Sequence, residues 1–204
     1  MIQSISKVYI AVIPDIITLK QVSLLERNLE IESCRDYQKK IQKYCVWKLF
    51  EYALKETFNC NTSDLDLIHL PNGKWYCKQC YFSLSHSDNV VMVGLSNTDI
   101  GVDIERVHSL KHDISNRIFN DEEKDFFKNK ISKEKNLTFF EIWTKKESIF
   151  KRLDGQEKDF SKIKVLKNKT ITKKVIVNNK VFICSVASDN FKKITFKFLN
   201  YFKF

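Results

Sequence analysis

Apolar and polar positions along this chain switch between a two-residue period and a three-to-four-residue period, and the switches mark its elements. Residues 7–13 (KVYIAVI) are strand-like, and Pro14 ends them. Between residues 24 and 55, Tyr37, Ile41, Tyr44, Cys45, Lys48 and Tyr52 recur on three- and four-residue steps, which predicts one long helix. Its middle is basic, with Arg35, Lys39, Lys40 and Lys43 over about two turns. A turn follows at residues 70–74, where Asn72-Gly73 suits the positive φ of a tight reversal. Residues 76–85, 89–95 and 99–107 then read as three strands joined by short polar turns, an antiparallel meander. From Leu110 the period lengthens. Asn120 is placed to cap a helix whose first turn holds Asp121, Glu122 and Glu123, and residues 136–153 form a second amphipathic helix ended by Asp154-Gly155. Residues 163–165, 170–177, 180–188 and 191–202 return to the strand period, with turns at Asn178-Asn179 and residues 188–190.

The order strand, helix, strands is loosely repeated as helices, strands. It predicts an α+β fold of two similar lobes, residues 1–101 and 102–204, whose seam falls on the strand at 99–107. A seam between lobes is where ligand clefts concentrate. Composition agrees with a packed chain: 43% hydrophobic and 13% aromatic residues, with only four Gly and two Pro, exclude disorder and a Gly-rich phosphate loop. Met1 opens no basic-then-apolar leader and no apolar run is long enough to span a bilayer, so a cytoplasmic location is expected.

Charge changes this picture through its distribution. The net charge of +10 is absent from residues 1–100, which carry 11 basic and 11 acidic side chains. Residues 158–204 account for it, with 12 Lys against Asp159 and Asp189. Such a segment attracts nucleic acid, anionic lipid or an acidic protein, and it also describes a solvated Lys-rich face. Of six cysteines, Cys77 and Cys80 have C-x-x-C spacing, but no second pair or His pair is placed to complete a zinc site. Cys80 also runs into a strand, whereas a redox pair opens a helix, so free thiols in a reducing compartment are expected.

The candidate chemistry centres on Gly101-Val102-Asp103-Ile104-Glu105. In a strand Asp103 and Glu105 share one face while Val102 and Ile104 take the other. Two carboxylates this close repel unless a cation lies between them, and a hard divalent ion held by oxygen is the usual solution. By itself the pair equally describes a solvated strand face. On the second long helix Trp143, Glu147 and Lys151 stand at i, i+4 and i+8 and form one stripe, although Glu147 and Lys151 are also in the favourable order for a surface ion pair. His86 falls at the end of the first strand of the meander, beside the turn at Asp88-Asn89, where an ordinary surface histidine would also sit.

Taken in order, Pro71-Asn72-Gly73-Lys74, then Phe82-Ser83-Leu84-Ser85-His86-Ser87, then Gly101–Glu105, then Trp143-Thr144-Lys145-Lys146-Glu147-Ser148-Ile149-Phe150-Lys151, this set resembles the 4′-phosphopantetheinyl transferases. The likeness is to the longer class that activates surfactin synthetase and similar megasynthases, and it covers residues 35–155 best. It implies a pseudo-dimer of two α+β lobes with coenzyme A in the cleft between them. The implied reaction is Mg²⁺-dependent, with Mn²⁺ as the alternative ion. It moves the phosphopantetheine arm of coenzyme A onto a serine of an apo acyl or peptidyl carrier protein and releases 3′,5′-ADP.

The resemblance implies Asp103, Glu105 and Glu147 as metal ligands, with Glu147, or a water it holds, also the base for the carrier serine. It implies Lys151 for the phosphates and the leaving group, and His86 with Ser85 for the pyrophosphate region. Lys74 matches a basic residue near the nucleotide, and Lys39 falls where the family often has an Arg for the 3′-phosphate. Ser83 stands where Asn is common. Trp143 is assigned to packing. The partners so implied are coenzyme A and an acidic carrier protein, which the Lys excess after residue 158 would attract, with a monomer and no nucleic-acid or membrane role. Two other readings use some of the same features. A metal-dependent nuclease would want clustered carboxylates, a lysine and a basic face. A non-enzymatic basic module would use the alternation of aromatic and basic side chains over residues 191–198.

Overall fold

The computed structural model of the protein describes residues 5–70, 73–110, 114–166, 170–189, 194–200 and 202–203. Strand β1 (Ser6–Val12) leads to helices α1 (Leu25–Glu32) and α2 (Tyr37–Phe58), a short hairpin of β2 (Leu67–His69) and β3 (Trp75–Cys77), and strands β4 (Tyr81–Ser87), β5 (Val90–Ser96) and β6 (Ile100–Arg106). Helices α3 (Ser115–Ile118), α4 (Asp121–Lys128) and α5 (Ser132–Arg152) follow, and then β7 (Thr170–Val177), β8 (Lys180–Ser188) and β9 (Ile194–Leu199). The fold is α+β, as the element order predicts.

A four-stranded sheet in the order β4-β5-β1-β9 and a three-stranded sheet in the order β6-β8-β7 pack face to face between two long helices. Alternation along the strands builds these layers. In β1, Val8 and Ile10 meet the second sheet while Tyr9 and Ala11 meet α2. In β5, Val90 and Met92 face the second sheet and Val91, Val93 and Leu95 face α2. Because both faces are covered, β5 is buried at every position, which is why its sequence is a continuous apolar run. On the far side, Ile183 and Ala187 of β8 pack with Phe139, Phe140 and Ile142 of α5.

Several expectations change. The single helix over residues 24–55 is two, because the chain leaves α1 at Ser33 and Asp36 starts α2 afresh by accepting Lys39 N–H at 3.0 Å. Asn59 in the left-handed region ends α2. The strand expected over 76–85 is broken at Lys78 and Gln79 into β3 and β4, and residues 163–165 form no strand. The acidic strand is not the last member of a meander. It crosses to the second sheet and pairs antiparallel with β8, Asp103 opposite Ser185 and Glu105 opposite Ile183. Strand β9 returns to the first sheet and pairs in parallel with β1, where Leu199 and Phe202 pack against the α2 core. Pattern along one strand cannot show such pairings, which depend on chain returning from far away in sequence. The strand expected over 191–202 is described from Ile194 onward. Among the described residues, no helix is long and apolar enough to cross a membrane.

Candidate active site

Strands β4 and β6 and helix α5 form the frame. Val102 and Ile104 enter the core between the sheets, so the pleat turns Asp103 and Glu105 to the opposite face, under α5 and beside β4. Helix α5 lies directly on β6 because position 101 has no side chain. A Cβ on Gly101 would stand 1.9 Å from Ser148 O and 2.5 Å from Arg152 N. Thr144 anchors the same face of α5 with a 2.8 Å hydrogen bond between its hydroxyl and that of Ser185. One turn on from Thr144, Glu147 is carried toward the carboxylates, and Lys151 follows one turn later.

Asp103 is almost fully buried, at 3% exposure, which the reading of a solvated face did not anticipate. Its Oδ1 accepts hydrogen bonds from the Ser85 hydroxyl at 2.9 Å and Lys151 Nζ at 2.7 Å. Its Oδ2 is buried with no partner. Glu105 Oε2 accepts from the Ser87 hydroxyl at 2.8 Å. Burial, and then the charge of Asp103, push the Glu105 carboxyl up to about 7 against the opposing pull of Ser87 and Lys151. Glu147 is raised by the same two causes, and Lys151 only partly offsets them. His86 is pushed down to about 4 by burial and by the positive charges of Lys151 and Arg27, so its imidazole is neutral at physiological pH.

These groups line one cavity of about 640 Å³, together with Lys74, Arg27, Glu30, Lys43 and Lys158. The Lys74 ammonium pairs with Asp154 and donates to Lys151 O at 3.2 Å, tying the β2–β3 turn to the end of α5. Pro71 and Asn72 of that turn lie outside the described residues. Lys74, Ser85, His86, Asp103, Glu105, Glu147 and Lys151 are thus brought together. Lys39 is not among the lining residues; it is exposed in the first turn of α2, whereas Lys43, one turn further along, lines the cavity. Of the basic run, Arg35 precedes α2 and Lys39, Lys40 and Lys43 lie on it, and helical spacing alone does not say which turn reaches the cleft. Trp143 stacks on Phe160 with ring centroids 5.2 Å apart, a packing role.

Sequence reasoning overlooked the network around Glu30. Its carboxylate receives Lys43 Nζ at 2.9 Å, the Arg27 guanidinium and Trp75 Nε1 at 3.3 Å. Burial opposes ionisation there, but these donors outweigh it and hold Glu30 down to about 2, from an ordinary 4.5. A depressed carboxyl contributes stability above its unfolded pKa that is lost as pH falls through the folded one. Acid titration of stability should therefore show a loss of up to about 3 kcal/mol between pH 4.5 and 2 that Glu30→Gln removes, read from thermal melts of both proteins across that range. Equal acid sensitivity in the two proteins would refute the assignment.

The donor set suits a small hard cation. Every candidate ligand atom is oxygen, one buried carboxylate oxygen is orphaned, and an ammonium already sits against the same carboxylate. Among the described residues no group of three or more His, Cys, Asp or Glu side chains stands ready to hold an ion. That is compatible with Mg²⁺, which characteristically takes one or two carboxylates and completes its shell with phosphate oxygens and water. The six cysteines are free, and Cys77 and Cys80 approach to 3.6 Å between sulfurs.

The sequence profile of the 4′-phosphopantetheinyl transferase superfamily matches residues 99–195. The chain is 36% identical over 73 residues to the 4′-phosphopantetheinyl transferase gsp of Aneurinibacillus migulanus, a match spanning 36% of this chain and 31% of that protein. It is 28% identical over 111 residues to the 4′-phosphopantetheinyl transferase ffp of Bacillus subtilis, spanning 51% of this chain and 48% of the relative. The matches thus span less than half the length of either curated relative. The resemblance carried by the four motifs is borne out over residues 99–195, which hold the acidic strand and the long helix of the site: in this part the chain matches the 4′-phosphopantetheinyl transferase superfamily.

Proposed function

We propose that this chain transfers the 4′-phosphopantetheine arm of coenzyme A to a serine hydroxyl of an apo acyl or peptidyl carrier protein in a Mg²⁺-dependent reaction, releasing 3′,5′-ADP. The observation that carries the proposal is the single cavity in which residues of four separated motifs, from Lys74 to Lys151, meet. The match to the transferase superfamily supports the same reading. We take the two halves as related α+β lobes with the reaction at their junction, acting as a monomer in the cytoplasm.

In this proposal Asp103, Glu105 and Glu147 would hold the Mg²⁺, whose chemistry is to neutralise the pyrophosphate. Lys74, Lys151 and the neutral His86, with Ser85, would bind and orient the phosphates. The carrier serine oxygen attacks the phosphorus that bears the pantetheine arm, and the bond from that phosphorus to the ADP phosphate oxygen breaks. Glu147, directly or through water, takes the serine proton; burial beside Asp103 makes its carboxylate a stronger acceptor than an exposed one. Lys151 neutralises the departing phosphate. The exposed lysines after residue 158 would draw an acidic carrier to the cleft.

The test is intact-mass analysis of an apo carrier incubated with this protein, coenzyme A and Mg²⁺. The expected result is a gain of one phosphopantetheine arm, abolished by EDTA and slowed about a hundredfold or more in Asp103→Ala and Glu147→Ala, as for loss of a metal-linked carboxylate. Carriers of several pathways that all stay unmodified while coenzyme A binds would overturn the activity. Failure to bind coenzyme A at all would also overturn the site assignment.

A further inference from the structure

The serines of β4, of which Ser83 and Ser85 line the cavity, also meet the second sheet. Ser83, Ser85 and Ser87 alternate along the strand and so share one face. That face meets the edge of β6 which, among the described residues, pairs with no strand, β8 lying on its other side. The unpaired N–H groups of Val102, Ile104 and Arg106 donate to the hydroxyl oxygens of Ser83 at 3.0 Å, Ser85 at 3.3 Å and Ser87 at 3.0 Å. A strand edge is thereby satisfied by side chains, without a neighbouring backbone. Each hydroxyl oxygen is held by a backbone donor, so its hydrogen must point elsewhere, and for two of the three it goes to a carboxylate. Ser85 donates to Asp103 Oδ1 and Ser87 to Glu105 Oε2, at 2.9 and 2.8 Å.

We infer that Ser87 is a positioning residue of the site, fixing Glu105 for a divalent cation by holding one carboxylate oxygen against the β6 edge. This rests on the metal role of Glu105 proposed above. Among the described residues the Ser87 hydroxyl on Oε2 is the one donor to the Glu105 carboxylate, so Oε1 is left for the cation. A glutamate has three rotatable bonds, and a hydroxyl fixed by the backbone of the adjacent residue, Arg106, removes that freedom before the cation arrives. The same hydroxyl also joins the two sheets, so a purely structural role is the competing reading.

The two readings separate by titrating Mn²⁺ into the coenzyme A-loaded protein and following free Mn²⁺ by electron paramagnetic resonance, with coenzyme A affinity in EDTA and thermal melting measured alongside. Ser87→Ala should weaken Mn²⁺ binding about tenfold or more, with coenzyme A affinity in EDTA unchanged, and Ser87→Thr, which keeps the hydroxyl, should restore it. If Ser87→Ala lowers the melting temperature but binds Mn²⁺ as the unaltered protein does, the hydroxyl only joins the sheets and the inference is wrong. If the unaltered protein binds coenzyme A but no Mn²⁺, the metal reading fails, and this inference falls with it.

Discussion

Gly101→Ala should destabilise the protein by about 3 kcal/mol or more and lower its melting temperature by roughly 10 °C, given the 2–4 °C per kcal/mol expected at this chain length. The added methyl would stand 1.9 Å from Ser148 O and 2.5 Å from Arg152 N. Both atoms belong to the backbone of α5, so no rotamer change relieves the overlap and the whole helix must lift off β6. That movement also carries Glu147 and Lys151 away from Asp103, so the surviving folded fraction should lose the 2.7 Å contact between Lys151 and Asp103. Gly94→Ala is a graded control, since its Cβ would meet a side-chain methyl, Val102 Cγ1, at 2.5 Å. Chemical denaturation of the three proteins measures the difference. A Gly101→Ala protein as stable as the parent would mean that α5 does not sit on β6 as described.

Lys146→Ala should cost about 3–5 kcal/mol, the range for removing one partner of a buried ion pair. Lys146 and Glu123 are both fully buried and meet at 2.7 Å. The ammonium also donates to Phe160 O at 2.8 Å and to Ile163 O. The carboxylate accepts Asn120 N–H and Val165 N–H, each at 3.0 Å, so one pair ties the start of α4, the middle of α5 and the segment after α5 together. Without the lysine, a charged carboxylate and two carbonyls are left in the core. Adding Glu123→Gln should recover a large part of the loss, because the amide keeps the cap and needs no counter-charge; a double-mutant cycle by urea denaturation measures the coupling. Simple additivity of the two changes would show that the pair is not the source of the stability.

Lys146 shows how the site and its scaffold differ in legibility. It stands beside Glu147 in the sequence, inside the motif that carries the resemblance, yet its side chain points into the core while its neighbour faces the cavity. A helix turns about 100° per residue, so adjacent residues serve different neighbours, and only the position of β6 and β8 shows which side is which. Glu123 illustrates the same limit. The cap at Asn120 was readable from spacing, and the partner of Glu123 on α5 was not.

Legible along the chain was what is local and chemical: the α+β class, the alternation of β1, β5 and β6, the cap at Asn120, the turn at Asn178-Asn179, the common face of Asp103 and Glu105, and the stripe of Glu147 and Lys151. These follow from backbone geometry that repeats over two or four residues, so composition and spacing contain them. Long-range packing alone places β6 outside the first sheet and β9 in it, buries Asp103 beneath α5, brings Lys43 and not Lys39 to the cavity, and sets serine hydroxyls against the β6 edge. Each of these depends on which distant segments pack together. That choice is made by the summed burial of many side chains and the pairing of backbone groups far apart in the chain, to which no single stretch of sequence has access.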